Sequence, residues 1–230
     1  MKQIHDVSKL EKYVKKHHID TFFSTDMTNK MELFLFKKHD YICKENEDIS
    51  YLYFFVEGKV KAYNTLSNGK ALLLRFYEGL QVVGDVELVQ ARKTSANVQA
   101  IEDSYCIGIP LEKLRDQLLN DATFLRFICS SLAEKFSRLS KNSSINLLYP
   151  LENRLAGYIL ATLEKGQEDE KKFIFYGNLT AISELLGTSY RHLMRVLHTF
   201  VERGIIRKRN RHFEIMNMQL LEELAEDIYK

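Results

Sequence analysis

Arg191 and Arg195 stand four residues apart in a stretch of 3.6-residue periodicity, so a helix stacks their guanidinium groups on one face. A planar guanidinium can bond O6 and N7 of one guanine together, the commonest specific base contact in duplex DNA. Ser189, just before them, reads as an N-cap placed to meet a backbone phosphate at the helix start. Tyr190 is placed to stack on a sugar or touch a thymine methyl. Downstream, Ile205-Ile-Arg-Lys-Arg-Asn-Arg-His-Phe-Glu-Ile215 reads as a hairpin with a basic tip, where Lys208 and Arg209 would meet phosphates. From Thr188 to His212 there are seven Lys/Arg against one acid, Glu202. On a chain with 33 basic and 31 acidic residues, that local excess is the footprint of a phosphate surface.

These side chains need a scaffold, and the surrounding pattern supplies one. Asn178 reads as the N-cap of a helix whose apolar face is Ile182, Leu185 and Leu186, and Gly187 ends it. A second helix opens at Thr188-Ser189, with Leu193, Val196, Leu197, Phe200 and Val201 as its core stripe. Its opposite face shows Tyr190, Arg191, Met194, Arg195 and His198, and Gly204 closes it. Helix, glycine turn, arginine-bearing helix and basic hairpin together predict a winged helix-turn-helix for reading DNA.

The upstream chain differs in period. Residues 1–21 read as an amphipathic helix with Leu10, Val14 and Ile19 on one face. From Leu33 to Ile109, aromatic and β-branched runs (51–56, 60–63, 71–76) alternate with the turns Glu57-Gly58, Ser67-Asn68-Gly69-Lys70 and Tyr77-Glu78-Gly79. That spacing predicts an all-β sandwich or barrel, with Asn68-Gly69 as its best hairpin signal. After Pro110 come a short helix over Leu111–Leu118 and a longer one from near Asp121. In the longer helix Leu125, Ile128, Leu132, Phe136 and Leu139 form a heptad-like seam, and Phe124, Phe127 and Cys129 add apolar positions beside it. One face is expected on the β-domain and one on a second protomer. Pro150 interrupts; a helix over Leu151–Glu164, a charged turn over 166–172 and a brief strand at Phe173–Tyr176 follow.

Composition bounds the rest. The 27.0 kDa chain of 230 residues is 45% hydrophobic and 28% charged with mean hydropathy −0.26, which excludes intrinsic disorder. No stretch reaches the ~20 uncharged apolar residues of a membrane span, and Met1–Asp6 lead into no signal peptide, so a cytoplasmic location is expected. Cys43, Cys106 and Cys129 are separated by 63 and 23 residues. They form no metal or cluster motif, so no metal and no cofactor are expected, and the plain reading is buried reduced thiols. Thiol modification stays open, with Cys129 on the interface helix the one most able to disturb a dimer. A metal-dependent β-roll enzyme needs a His/Glu cluster on its strands; this region offers His39 and little else.

Over nearly its whole length the chain resembles the catabolite activator/fumarate–nitrate regulator (CRP/FNR) superfamily. The resemblance rests on Tyr51-Leu-Tyr-Phe-Phe-Val-Glu-Gly58-Lys-Val-Lys, on Phe76-Tyr-Glu-Gly79-Leu-Gln-Val-Val-Gly84-Asp-Val-Glu-Leu and on Ile182-Ser-Glu-Leu-Leu-Gly-Thr-Ser-Tyr-Arg-His-Leu-Met-Arg-Val-Leu197. Ser189–Leu193 and Leu151-Glu-Asn-Arg-Leu-Ala156 look most like its YeiL branch. It implies an α+β chain: an N-terminal double-stranded β-helix (a jelly roll of the cyclic-nucleotide-binding kind) over 1–120, a dimerisation helix over 121–149, and a winged helix-turn-helix over 150–230. It further implies a homodimeric transcription regulator on pseudo-palindromic double-stranded DNA, with RNA polymerase as a partner, no membrane, and an effector of unspecified identity. Nucleotide-binding members carry Gly-Glu-Leu and then Arg-Ser-Ala or Arg-Thr-Ala. Here the matching runs are Gly84-Asp85-Val86 and Thr94-Ser95-Ala96, so Thr94 replaces the phosphate-pairing arginine. Leu139-Ser140 stands where the family uses a polar Thr-Ser pair. The cyclic-nucleotide pocket is therefore expected to be degenerate. The competing reading is a ligand-binding β-roll that regulates a protein partner without DNA.

Overall fold

The computed structural model describes residues 1–67, 69–165, 173–210, 212–226 and 228. Asn68 of the expected hairpin, the charged turn over 166–172 and Arg211 of the expected wing lie outside them. Two compact units are present: Met1–Asn64 with Tyr77–Leu139, and Thr65–Phe76 with Ser140–Lys230.

The first unit begins with strand β1 (Lys2–Ile4) and helix α1 (Val7–His17), followed by a 3-10 turn at Ile19–Phe22. A helix over the whole of 1–21 is therefore corrected. Asp6 starts the helix by accepting from the Lys9 N–H at 2.9 Å, which frees the residues before it to pair as a strand. His18, at φ 52°, stops it. The β-domain comprises β2 (Glu32–Phe36), β3 (Tyr41–Cys43), β4 (Tyr51–Glu57), β5 (Lys59–Thr65), β6 (Ala71–Glu78), β7 (Gln81–Val83), β8 (Asn97–Ala100) and β9 (Ser104–Pro110). Between β7 and β8 lies a six-residue helix, α2 (Asp85–Gln90), too short to declare itself by periodicity. The sheets run β1-β2-β9-β4-β7 and β3-β8-β5-β6. Early strands pair antiparallel with late ones (Leu33↔Ile107, Leu52↔Ile109, Ala62↔Val98), which is the wrap of a jelly roll. Strand β4 is buried from Leu52 to Val56 because both of its faces are covered, so it reads as a continuous apolar run.

Helices α3 (Leu111–Leu119) and α4 (Ala122–Leu148) complete this unit's apolar core. Asp121 caps α4 by accepting from the N–H groups of Thr123 (2.9 Å) and Phe124 (3.1 Å). Phe124 stacks on Phe23 at 5.1 Å and Phe127 on Phe22 at 3.8 Å, while Phe124 and Ile128 are buried. Ile128 thus belongs to the β-domain core and not to the outward seam in which the heptad reading placed it. Beside it runs a stripe of Leu125, Cys129, Leu132, Phe136 and Leu139, again at spacings of four and three; Leu125 and Leu132 are half-buried, Leu132 against the edge of the core, and the rest are exposed. Phe136 is 75% exposed, against 1% for Ile128.

The second unit contains α5 (Leu151–Ala161), β10 (Glu164–Lys165), β11 (Phe173–Phe175), α6 (Leu179–Leu185), α7 (Tyr190–Glu202), β12 (Ile206–Lys208), β13 (Phe213–Ile215) and α8 (Met218–Ala225). Its sheet runs β10-β11-β13-β12. Leu155, Ile159, Phe175, Ile182, Leu193, Leu197, Phe200 and Leu221 are buried in it. Val201, expected in the core stripe of α7, is exposed instead, because the stripe closes at Phe200 before the helix ends.

Gly58 joins β4 to β5 at φ +102°, and a Cβ there would stand 2.7 Å from the Ser104 Cα. Gly58→Ala is expected to cost about 2–4 kcal/mol through backbone strain and overpacking. A urea series checks this: the midpoint should fall while the slope stays unchanged.

Candidate nucleic-acid interface and sensor pocket

Every helix end in the reading motif has its cap. Asn178 Oδ1 accepts from the N–H groups of Thr180 (3.0 Å) and Ala181 (3.3 Å), starting α6. Gly187 takes φ +60°, and the Gly187 and Thr188 N–H groups donate to the Glu184 and Ser183 carbonyls, both at 2.9 Å. Ser189 Oγ accepts from the His192 N–H at 3.2 Å, which leaves its own hydroxyl hydrogen for an acceptor outside. With Leu193, Val196, Leu197 and Phe200 buried, α7 turns Tyr190, Arg191, Arg195 and His198 outward. Tyr190 is 50% exposed. Arg191 and Arg195 make no ion pair among the described residues. His198 lies 3.3 Å from Glu202, one turn further along the same face.

The hairpin β12–β13 carries the predicted wing. Lys208 is exposed and, among the described residues, unpaired. Arg209 differs: its Nε lies 3.1 Å from Glu214 Oε2, a carboxylate only 15% exposed. Arg203 similarly meets Glu152 at 3.7 Å. Both acids lie outside the window over which the basic excess was counted, so counting along the chain overstates the free charge. Tyr176 and His212 sit ring to ring at 5.3 Å beside the wing turn, a contact between segments far apart in sequence that no local motif announces.

In the first unit, Gly84 takes φ +97° and a Cβ there would lie 3.1 Å from the Tyr51 carbonyl oxygen, so the turn into α2 needs glycine. Asp85 is 2% exposed. Lys135 Nζ, from α4, donates to both of its carboxylate oxygens (2.5 and 2.6 Å) and to the Val82 carbonyl (2.7 Å). Sequence reading missed Lys135; its signal was a lone cation between the apolar Leu132 and Phe136. Val86 is half-buried, and its N–H donates to Asp85 Oδ1 at 3.1 Å. Thr94 is buried, and its hydroxyl contacts the carbonyl oxygens of Lys44 and Glu47, the latter at 3.0 Å. Its N–H donates to the Glu47 carbonyl (3.0 Å) and its own carbonyl accepts from the Asn46 N–H (2.8 Å). Ser95 is exposed, its N–H donating to Glu87 Oε1 at 3.2 Å. Arg92, two residues before Thr94, is also exposed. Leu139 and Ser140 stand on the exposed surface of α4. The fold thus gathers Gly84, Asp85 and Val86 around Lys135, and fastens Thr94 to the loop at 44–47. An open groove of about 780 Å³ lined by Glu32, Asp48, Glu87, Arg92 and Arg115, among others, includes neither Asp85 nor Thr94.

Burial pushes the Cys43 thiol up to about 12, with the Glu87 carboxylate adding to the effect, and holds Cys106 well above the ordinary range. Cys129 is exposed in the protomer. Among the described residues no group of three or more His, Cys, Asp or Glu side chains could hold a metal ion. Among them, too, no helix is long and apolar enough to cross a membrane.

Comparison with known proteins places these features. The cyclic nucleotide-binding domain profile matches residues 33–121, and the Crp-like helix-turn-helix domain profile matches residues 153–224. The chain is 36% identical over 203 residues to Regulatory protein YeiL of Escherichia coli O157:H7, covering 88% of this chain and 90% of the relative. It is 27% identical over 178 residues to the Cyclic AMP receptor protein of Thermus thermophilus, covering 76% and 79% respectively. Among solved structures, a CRP-family transcriptional regulator, also from Thermus thermophilus, superposes with TM-score 0.67 at 17% identity, over 86% of this chain and 98% of that one.

The Asp85–Lys135 pair yields a direct test. Lys135→Met leaves a buried carboxylate uncompensated, and the expected cost is about 3–5 kcal/mol at neutral pH. Urea titrations at neutral pH check this, and the Asp85→Asn/Lys135→Met double variant should recover part of the loss by removing the buried charge as well.

Proposed function

The chain belongs to the CRP/FNR family of DNA-binding transcription regulators, and from that footing we propose that it acts as a cytoplasmic homodimer on a pseudo-palindromic operator without depending on cAMP. The observation that carries the DNA-reading part is the pair Arg191 and Arg195, exposed on α7 behind the glycine turn at Gly187 and, among the described residues, without an ion-pair partner. Arg191 and Arg195 read base edges, Tyr190 touches a sugar or a thymine methyl, and Ser189 holds a phosphate. Lys208 contacts the backbone from the wing. Arg209, held by Glu214, orders the wing more than it neutralises phosphate.

The stripe Leu125, Cys129, Leu132, Phe136 and Leu139, exposed at Cys129, Phe136 and Leu139, supports dimerisation, since spacings of four and three are those of two helices packing side by side. Two-fold symmetry then sets two copies of α7 about 34 Å apart, in successive major grooves. We assign sensing to residues 1–120, dimerisation to 121–149 and DNA reading to 150–230, with RNA polymerase as the downstream partner.

Independence from cAMP rests on Thr94. A cyclic phosphate there would meet a hydroxyl already committed to the Lys44 and Glu47 carbonyls instead of a guanidinium. Losing such a charge-assisted pair costs roughly 2–5 kcal/mol, or about 30- to several-thousand-fold in affinity. The carboxylate of Asp85, which would face a ribose, is engaged by Lys135.

Gel-shift titration against a selected palindromic duplex tests the reading. Arg191→Ala and Arg195→Ala should each weaken binding by ~1–3 kcal/mol and relax base preference at one position. Lys208→Ala should weaken all sequences alike and reduce the salt slope by about one, with Arg209→Ala doing less. Wild-type affinity in both α7 variants would remove the assignment. Calorimetry with cAMP should show no binding heat while DNA binding proceeds without ligand. Alkylation of Cys129 should slow as protein concentration rises and the dimer covers it.

A further inference from the structure

The unit that reads DNA contains twelve residues from the β-domain's stretch of sequence, Thr65–Phe76, and with them most of strand β6. Burial along β6 alternates: Leu73, Arg75 and Tyr77 are buried, whereas Leu72, Leu74 and Phe76 are half-buried on the other side. The strand makes three contacts, two residues apart, with three different elements, two of them through side chains of that second side and one through its backbone. The amide of Asn142, a buried side chain near the end of α4, donates to the Leu74 carbonyl at 2.8 Å. Phe76 meets the ring of Tyr158 on α5 edge-on at 5.6 Å. Leu72 lies over the helix-turn-helix turn itself: a methyl added at Gly187 would stand 3.7 Å from Leu72 Cδ1, in van der Waals contact.

Gly187 is the residue between α6 and α7 with a left-handed backbone, so its conformation sets the angle at which α7 leaves the turn. A bulky side chain seated over it, on a strand held at the Leu74 carbonyl and the Phe76 ring, restricts that angle. We propose that the outward side of β6 is a splint for the recognition helix, with Leu72 as a positioning residue that acts through Gly187 on Arg191 and Arg195. The proposal rests on the assignment of α7 as the reading helix. Since β6 continues through Tyr77 and Glu78 into the other unit, a displacement of the strand there is passed to the turn along one backbone. Such transmission needs a discrete physical element, and a strand with two different faces is one.

The test compares Leu72→Ala with wild type in the full chain. The Gly187 and Thr188 N–H groups are hydrogen-bonded within the turn, so their hydrogen exchange reports its opening. Exchange at these two amides is expected to quicken at least fivefold, with amides of α5 and α8 unchanged and Leu72→Met restoring the wild-type rate. Affinity for the selected duplex should fall about three- to tenfold with an unchanged salt slope, since no phosphate contact is lost. Unchanged exchange at Gly187 and Thr188, or equal acceleration throughout the unit, would overturn the proposal. If Leu72→Ala does not fold, Leu72→Val is read the same way, with a twofold local increase as the threshold. A wild-type chain that binds no duplex would remove the DNA-reading assignment, while the exchange result would still report on the splint.

Discussion

Asp85 is a carboxylate at 2% exposure, and a charge in that position is tolerated only if another charge follows it inside. Lys135 does so from the middle of α4, closing on both oxygens and on the Val82 carbonyl with the three donors of an ammonium group. The pair joins the start of α2 to a helix position 50 residues later, and much of the first unit depends on it. Apolar packing by Phe124, Phe127 and Ile128 seats the beginning of α4, but packing alone lets a helix slide or rotate. A directional ion pair about two turns beyond Ile128 fixes the rotation. With the rotation fixed, the face beside Lys135 is defined, and Phe136 and Leu139 stay exposed on it.

The reading motif was legible from the sequence because each of its constraints is local. Asn178, Gly187 and Ser189 are cap and turn residues whose partners lie within four positions, and all three do in the fold what their types require. The β-domain was legible as a class, since alternating runs and turn residues mark strands wherever they pair. What escaped depends on partners distant in the chain. Residues 2–4 became a strand because β2 offered an edge. Ile128 left the heptad seam because the aromatic pairs of Phe22 and Phe23 claimed the neighbouring face of α4. Lys135 carries no local signal of its partner, because Asp85 stands 50 residues away.

Thr94 illustrates how the residue type at one position sets the character of a loop. An arginine at that place would need an anion to be satisfied. Threonine is satisfied by the chain itself, through the carbonyls of Lys44 and Glu47, and it adds a pair of backbone hydrogen bonds to the same loop. The segment between α2 and β8 is thereby closed by its own polar groups. Cys43 lies on the strand just before that loop, its thiol held neutral by burial.

The wing's internal ion pair bears on how such a regulator finds its site. Attraction to any duplex scales with unpaired positive charge, whereas discrimination among sequences comes from the groups that reach base edges. On the proposed reading, Glu214 withdraws Arg209 from the first contribution and leaves the second to Arg191 and Arg195. A protein present in few copies competes against the whole chromosome, which acts as a sink for anything broadly cationic. Neutralising part of the wing from within shrinks that sink, so a larger fraction of the molecules stays free to search, and each spends less time held where there is nothing to read.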